Sequence, residues 1–323
     1  MPSSIDDAIR RAVAFLERTQ LPSGELPIYV SGLPDPSLFP TALAAYSFGF
    51  APEAAAVRTR ALDFLAAEME PRGAWRHRAR AHPAYDGLVA DADDTACAAA
   101  ALRAAGRELP DVARILLAAR TRDGRFRTWL PVFADLRKPR ALWQLFVTGT
   151  ASITDLDAVV NANVLHFLGD AQAGTPVSEW LLAILREERE TDCDKWYDNP
   201  FAVWYFFSRA IGEKSDEARS IISRRVLAAA PKTALDHALA ICALAYCGVR
   251  ASIAPLLELQ TPSGSWPAAV LYNVGRVRKR DGTFVPGSGD WMTWSSEELT
   301  TAFAVEALGR HREASLQTPA KPV

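Results

Sequence analysis

A chain of 323 residues, 49% of them apolar, can bury a sizeable core as one large domain or two ordinary ones. A net charge of −2 gives no basic footprint for nucleic acid, and the longest uncharged apolar run, Ala238 to Val249, is too short to cross a bilayer. Cys97, Cys193, Cys242 and Cys247 show no C-x-x-C spacing, and three of them lie in apolar helical stretches, so the chain reads as reduced and cytoplasmic.

Ser4-x-x-Asp7 reads as a capping box opening a first helix, with Asp6 and Asp7 where a secretory leader would be basic. From there the pattern predicts helices in pairs: 4–19 with 39–49, 53–68 with 91–105, 110–120 with 156–168, 177–189 with 198–211, 216–229 with 233–247, and 250–260 with 295–308. The first of each pair is amphipathic and charged; the second is more apolar. Gly49, Gly106, Gly169, Gly212, Gly248 and Gly309 close the second helices, as glycine commonly does at a helix end. Helices apolar on most sides belong inside and one-sided helices outside. No long segment alternates with period two. The expectation is a single all-α domain over 1–323, an (α/α)6 toroid of six inner and six outer helices, with 311–323 as a disordered tail.

A repeat supports this. Phe15-Leu16 with Gln20, Gly24 and Leu26 recurs as Phe64-Leu65 with Met69, Gly73 and Trp75. It recurs again as Leu116 with Arg120, Gly124 and Phe126, and as Leu256 with Gln260, Gly264 and Trp266. Positions 20, 69 and 120 are about fifty residues apart, the spacing of a repeat array, and the gap to 260 leaves room for two degenerate copies. Connections from inner to outer helices are mostly short. Several in the other direction are long: 21–38, 69–90, 121–155 and 261–294. Long loops of this kind usually carry function, so the face where the inner helices begin is the working face.

Asp91-Ala92-Asp93-Asp94-Thr95-Ala96 opens the second inner helix on that face. Three carboxylates this close repel one another, which raises at least one pKa and leaves a protonated acid near neutrality. In a dry pocket such an acid can protonate an alkene or epoxide. Asp-rich helix starts also cap free N–H groups and suit the positive helix end.

The Gln260-x-x-x-Gly264-x-Trp266 repeats resemble the QW repeats of the squalene-hopene cyclase and oxidosqualene cyclase superfamily. Asp91 to Ala96 resembles the D-x-D-D-T-A signature of class II terpene cyclases, preceded here by Gly73 and Trp75 and followed by Ala101-Leu102. The resemblance covers essentially the whole chain as one toroid, the β domain of these cyclases. It implies that Asp93 is the general acid, that Asp91 and Asp94 support it, that Thr95 carries the motif into the helix, and that Gln260 and Trp266 are structural. Family cyclases pair this domain with a second helical domain; here the long loops, a second copy or a partner must close the cavity. Met69 and Arg120 depart from the Gln of the repeat.

A carbocation needs stabilisation without a nucleophile, which aromatic faces supply. Trp196, Tyr197, Phe201, Trp204 and Tyr205 near the fourth inner helix, and Trp291 and Trp294 before the sixth, are candidates, as well as ordinary packing residues. Arg276, Arg278, Lys279 and Arg280 either grip a diphosphate, with Mg²⁺ then involved, or form a solvated hairpin tip at Asp281-Gly282. Asp192-Cys193-Asp194 with His237 departs from the zinc set of the protein prenyltransferases, which share the toroid, because Asp192 and Cys193 are adjacent. The site is therefore read without a metal, and the chemistry without a cofactor. Glu297 or Glu298 can serve as terminating base if it faces the cavity. The reading is a proton-initiated cyclase acting on a linear or epoxidised isoprenoid. A non-catalytic isoprenoid-binding scaffold, a prenyltransferase-like enzyme and a carbohydrate-active toroid are the alternatives.

Overall fold

The computed structural model describes residues 4–130, 142, 151–279, 283–287 and 291–317. The fold is mainly helical. Apolar helices Leu38–Ser47, Ala92–Ala104, Ala158–Leu168, Pro200–Phe207, Ala234–Tyr246 and Glu297–Gln317 contact one another in that order, and the last returns to the first. Every residue from Ala92 to Leu102 is buried, as expected of a helix packed on all sides. Ile5–Thr19 instead buries one stripe, Ala8, Ile9, Ala12, Val13, Phe15 and Leu16, and lies against Glu297–Gln317. Ala55–Glu68, Val112–Ala118, Thr175–Arg186, Asp216–Ala228 and Ala254–Glu258 each pack on an apolar helix in the same way.

The repeat positions knit neighbouring units together. Gln20 donates through Nε2 to Gly24 O at 2.8 Å and to Val57 O of the next outer helix at 3.1 Å. Gln260 does the same at the junction between the chain's two ends, donating to Gly264 O and to Ala8 O, both at 2.9 Å. Arg120, where glutamine is expected, still reaches Gly124 O at 3.3 Å. Gly24 and Gly264 have φ of 92° and 94°, and a Cβ on either would collide with a carbonyl of the neighbouring helix, Arg60 or Arg11. Glycine is thus required twice over. The aromatic positions hang from their own outer helices: Trp75 Nε1 donates to Leu65 O and Trp266 Nε1 to Leu256 O.

The all-helical expectation needs one correction. The long loops build small antiparallel sheets. The largest runs Leu33–Pro34, Tyr29–Val30, Met292–Ser296, Ala269–Val274. Ala90–Asp91 pairs with Trp129–Leu130, and Arg276–Arg278 with Phe284–Pro286. Strands of two to six residues are too short to show a period in sequence. The last helix runs to Gln317, well into the stretch expected to be a tail, while 318–323 lie outside the described residues. The fourth apolar helix passes into a π-helical turn, Ser208–Gly212. Among the described residues no helix is long and apolar enough to cross a membrane.

Candidate active site

Asp91 is the N-cap of the Ala92–Ala104 helix, and its Oδ1 accepts the Asp94 N–H at 2.7 Å. The capping role expected of an acidic helix start is therefore filled by Asp91. Asp93 is freed for other partners. Its Oδ1 accepts from Asn163 Nδ2 at 2.6 Å and its Oδ2 from the Tyr197 hydroxyl at 2.9 Å. Asp94 Oδ1 lies 3.7 Å from His77 Nδ1. All three carboxylates are buried.

Burial raises the Asp93 pKa to about 7, and the Asp91 charge adds to the rise; the Asn163 and Tyr197 hydrogen bonds and Arg209 pull it back. Asp94 is raised to about 7, chiefly by burial. Asp91 is pushed well above the usual carboxylate range by burial and then by the Asp94 charge. The cluster therefore holds protons near neutral pH, as a coupled group rather than three independent acids. Burial lowers the His77 pKa, so its imidazole is neutral beside them.

These aspartates floor a cavity of about 170 Å³. Its walls are aromatic: Phe39, Trp129, Trp196, Tyr197, Tyr272 and Trp294. The Trp294 indole N–H donates to buried Asp35 at 2.8 Å and the Trp129 indole to Asp155 at 3.0 Å. With their polar atoms satisfied by those carboxylates, both rings offer carbon surface to the cavity. Trp129 is placed by the short sheet, in which it pairs with Asp91. Tyr272, Val274, Met292 and Trp294 come from the four-stranded sheet, so the loop 261–294 supplies one wall and strands from the loop 21–38 extend the sheet behind it. Asn273 ties that wall to the Tyr197 segment, its N–H donating to Trp196 O at 2.9 Å and its Nδ2 to Asp198 Oδ1 at 2.9 Å.

Thr95 has a definite place. Its Oγ1 accepts the Trp75 N–H at 3.1 Å. Thr41 does the same for Leu26, Asn161 for Phe126 and Thr301 for Trp266, so each recognisable repeat is pinned to its own inner helix.

The sequence-selected residues separate into two groups. Asp91, Asp93, Asp94, Trp196, Tyr197 and Trp294 meet at the cavity. Phe201 and Trp204 pack edge to face at 5.2 Å in the core, with Trp204 Nε1 donating to Glu190 at 3.0 Å; neither lines the cavity. Trp291 lies against Gly275, also outside it. Arg276 is buried, and its guanidinium donates to Thr191, Asp194 and Phe284 carbonyls, clamping the hairpin to the segment that leads into Tyr197. Arg278 sits on the paired strand, Lys279 is exposed beyond it, and Arg280, Asp281 and Gly282 lie outside the described residues. Glu297 accepts from Ser265 at 3.0 Å, and neither it nor Glu298 lines the cavity. Cys193 Sγ faces the Glu190 carbonyl at 3.7 Å, and no group of three His, Cys, Asp or Glu suited to a metal occurs among the described residues.

Sequence reasoning passed over Asn163, His77, Trp129 and Tyr272. Asn163 had a signal: like Asn161 it is a polar amide inside a mainly apolar helix, and at 1% exposure it needs a buried partner.

No family model matches the sequence, and no curated protein is similar to it. Solved structures are similar over nearly the whole chain. The type II terpene cyclase MstE from Scytonema, without ligand, aligns with a TM-score of 0.70 at 17% identity, covering 96% of this chain and 98% of that one. This chain has the MstE fold. An MstE variant with an Arg-to-Ala change, in complex with geranylgeranyl dihydroxybenzoate as substrate, aligns at 0.73 and 18% identity with the same coverage. A protein from Actinoplanes aligns at 0.67 and 20% identity, covering 97% of this chain and all of that one. Matches at this identity establish a shared fold.

Proposed function

We propose that this protein is a class II terpene cyclase-like enzyme that starts cyclisation of a linear or epoxidised isoprenoid by proton transfer from Asp93. The observation that carries the reading is Asp93 itself. It is a buried carboxyl whose pKa burial lifts to about 7, with two donors on its oxygens, at the floor of an aromatic cavity. The fold likeness to MstE supports it.

The chemistry follows from the geometry. A substrate alkene or epoxide over Asp93 takes its proton, and the carboxylate left behind is stabilised by Asn163 Nδ2 and the Tyr197 hydroxyl. These donors already point at the oxygens where charge develops, so they need no rearrangement during transfer. Tyr197 remains a donor because burial and the Asp93 charge push its own pKa well up. Asp91 and Asp94 keep the cluster proton-rich. The cation then moves among Trp129, Trp196, Tyr272 and Trp294, whose faces stabilise it and offer no lone pair to trap it. Proton loss or water capture ends the sequence.

We read the closed order of six apolar helices with their outer partners as an (α/α)6 toroid and the chain as a single catalytic domain. The four-stranded sheet from the long loops takes the place of the second domain that larger family members use as a cavity wall. On this reading the Gln260 and Trp266 repeat positions are structural.

Product analysis tests the function. Purified protein is incubated with farnesyl and geranylgeranyl diphosphates, squalene, oxidosqualene and geranylgeranyl dihydroxybenzoate, with and without Mg²⁺, beside Asp93→Asn. A cyclic product from the parent and none from the variant is the expected result. Equal product from both removes Asp93 from the mechanism. Tight binding of a prenyl compound without turnover by either protein would favour a binding role instead.

A further inference from the structure

Behind the aspartate cavity the interior holds a cation that none of the chemistry above uses. Arg209 lies in the π-helical turn Ser208–Gly212, a distortion that recurs at functional sites because it takes one residue out of helical register. It is buried, and its guanidinium carbon sits 5.1, 5.4 and 5.2 Å from the ring centres of Tyr46, Tyr205 and Phe206. One Nη donates to Asn163 Oδ1 and lies 3.8 Å from Cys97 Sγ. Its Nε has no hydrogen-bond partner among the described residues. A buried charge held by rings, a thiol and an amide, with no carboxylate in direct contact among the described residues, is an expensive arrangement.

What the arrangement fixes is the direction of an amide. Asn163 donates through Nδ2 to Asp93 and accepts through Oδ1 from Arg209. A guanidinium only donates, so the Asn163 oxygen must face Arg209 and the nitrogen must face Asp93. Without that constraint the amide can turn over and present its oxygen to protonated Asp93. The acid would then give its hydrogen bond to Asn163 and hold its proton away from the cavity.

We propose that Arg209 is a positioning residue for Asp93: acting through Asn163, it locks the amide as a donor and so keeps the Asp93 proton on the cavity side, ready to leave. The inference rests on the cyclase reading for its purpose, but its physical content is a coupling among three side chains. Other groups around them do not supply the same constraint. Asp93 faces Asp91, Asp94, His77, Tyr197, Cys97, Tyr272 and, farther off, Asp194. Arg209 faces Tyr46, Tyr205, Tyr246 and Cys97, and its own carbonyl meets His166 Nδ1 at 3.2 Å. Burial raises the Cys97, Tyr205 and Tyr246 pKa values and lowers that of His166, so these groups are neutral near pH 7. Arg209 is the fixed positive charge behind Asn163.

The test reads the Asp93 carboxyl directly and needs no turnover. Infrared difference spectra follow its C=O stretch against pH, assigned by subtracting the matching Asp93→Asn protein. The series contains the parent, Arg209→Met, Arg209→Gln and Arg209→Lys, each also in an Asn163→Leu background. In Arg209→Met the Asp93 midpoint should rise by about one pH unit or more, the effect of losing a nearby opposite charge and its aligned donor. Arg209→Lys, which keeps a positive donor, should hold the midpoint close to that of the parent. In the Asn163→Leu background the change from Arg209 to Met should shrink to less than half. Arg209→Gln keeps volume and hydrogen bonding but loses both the charge and the one-way lock, so it carries the test if Arg209→Met fails to fold. A folded Arg209→Met or Arg209→Gln with an unmoved midpoint overturns the proposal. So does an equal shift in both Asn163 backgrounds, since Arg209 would then act through space. Because no substrate enters, the coupling stands or falls separately from cyclase activity.

Discussion

Tyr272 and Trp294 are cross-strand partners whose rings stack with centres 5.1 Å apart and planes 14° from parallel. His77 meets both rings edge-on, at 5.7 and 5.6 Å, and brings the stack beside Asp94. The sheet made from two long loops thus delivers a double aromatic surface to the acid end of the cavity. Trp294→Leu keeps an apolar wall and removes one face. Losing a desolvated cation–π contact costs about 1–2 kcal/mol, or roughly 5- to 30-fold in the rate of the cation-forming step. Turnover should fall by that amount, with more product quenched early. Gas chromatography with mass spectrometry of the products checks this; an unchanged rate and product profile would place the cation elsewhere.

Tyr197→Phe removes one of two donors to Asp93 and little else, since the ring still packs on Phe206 with centres 5.2 Å apart. The donor matters most when charge forms on the carboxylate, so kcat should drop by about 100-fold while KM changes little. Steady-state kinetics on the substrate identified by the panel decides it. A rise in KM with kcat intact would make Tyr197 a substrate contact.

The helical order and the carboxylate cluster at a helix start were legible because each rests on local rules. Apolar helices alternating with striped ones, glycine at their ends and a recurring Gln-Gly-Trp spacing are written in sequence over short distances. The cavity walls were not. Trp129 acquires its position from strand pairing with Asp91 across two loops and Tyr272 from pairing with Trp294 inside one long loop, and a two-residue strand such as Trp129–Leu130 has no period to detect. Phe201 and Trp204 looked equivalent to Tyr197, since all are aromatic and lie within one short stretch. Position along the chain separates them: Tyr197 lies in the segment before the Asn199 cap and reaches Asp93, whereas Trp204, inside the helix, turns to Glu190. Arg276 looked like a phosphate ligand on charge alone, but its guanidinium is buried and already donates to three carbonyls.

The Asp93 pKa makes a paired prediction about pH. It is raised from 3.8 to about 7 in the folded protein, so the native state binds more protons than the unfolded state between those values. Stability contributed by this group is therefore greatest at low pH and falls as pH rises from about 4 to about 7, with no further change above. Asp93→Asn, which cannot ionise, should be more stable than the parent at pH 8, and the difference should shrink as pH falls toward 4. In the proposed mechanism activity depends on the same proton, so kcat/KM should decline above about pH 7. Thermal melts of both proteins and a pH–rate profile of the parent test the two halves. A parent as stable as the variant at pH 8 would mean that Asp93 is not destabilised when ionised.

Gly264 marks where the end of the repeat array meets its beginning. With φ at 94° and its missing Cβ directed at the Arg11 carbonyl, alanine there meets both backbone strain and a collision. Gly32 has a similar φ of 85° but no neighbour within 4 Å of the Cβ position. Gly32→Ala isolates the backbone effect, expected near 1 kcal/mol; Gly264→Ala adds separation of its turn from the first helix and should cost about 2–4 kcal/mol. Because Gln260 binds both the Gly264 and Ala8 carbonyls, a shift at Gly264 also loosens those bonds. Chemical denaturation of the two variants reads the difference. Equal losses would show that the junction yields without strain, and that φ alone demands glycine at this position of the repeat.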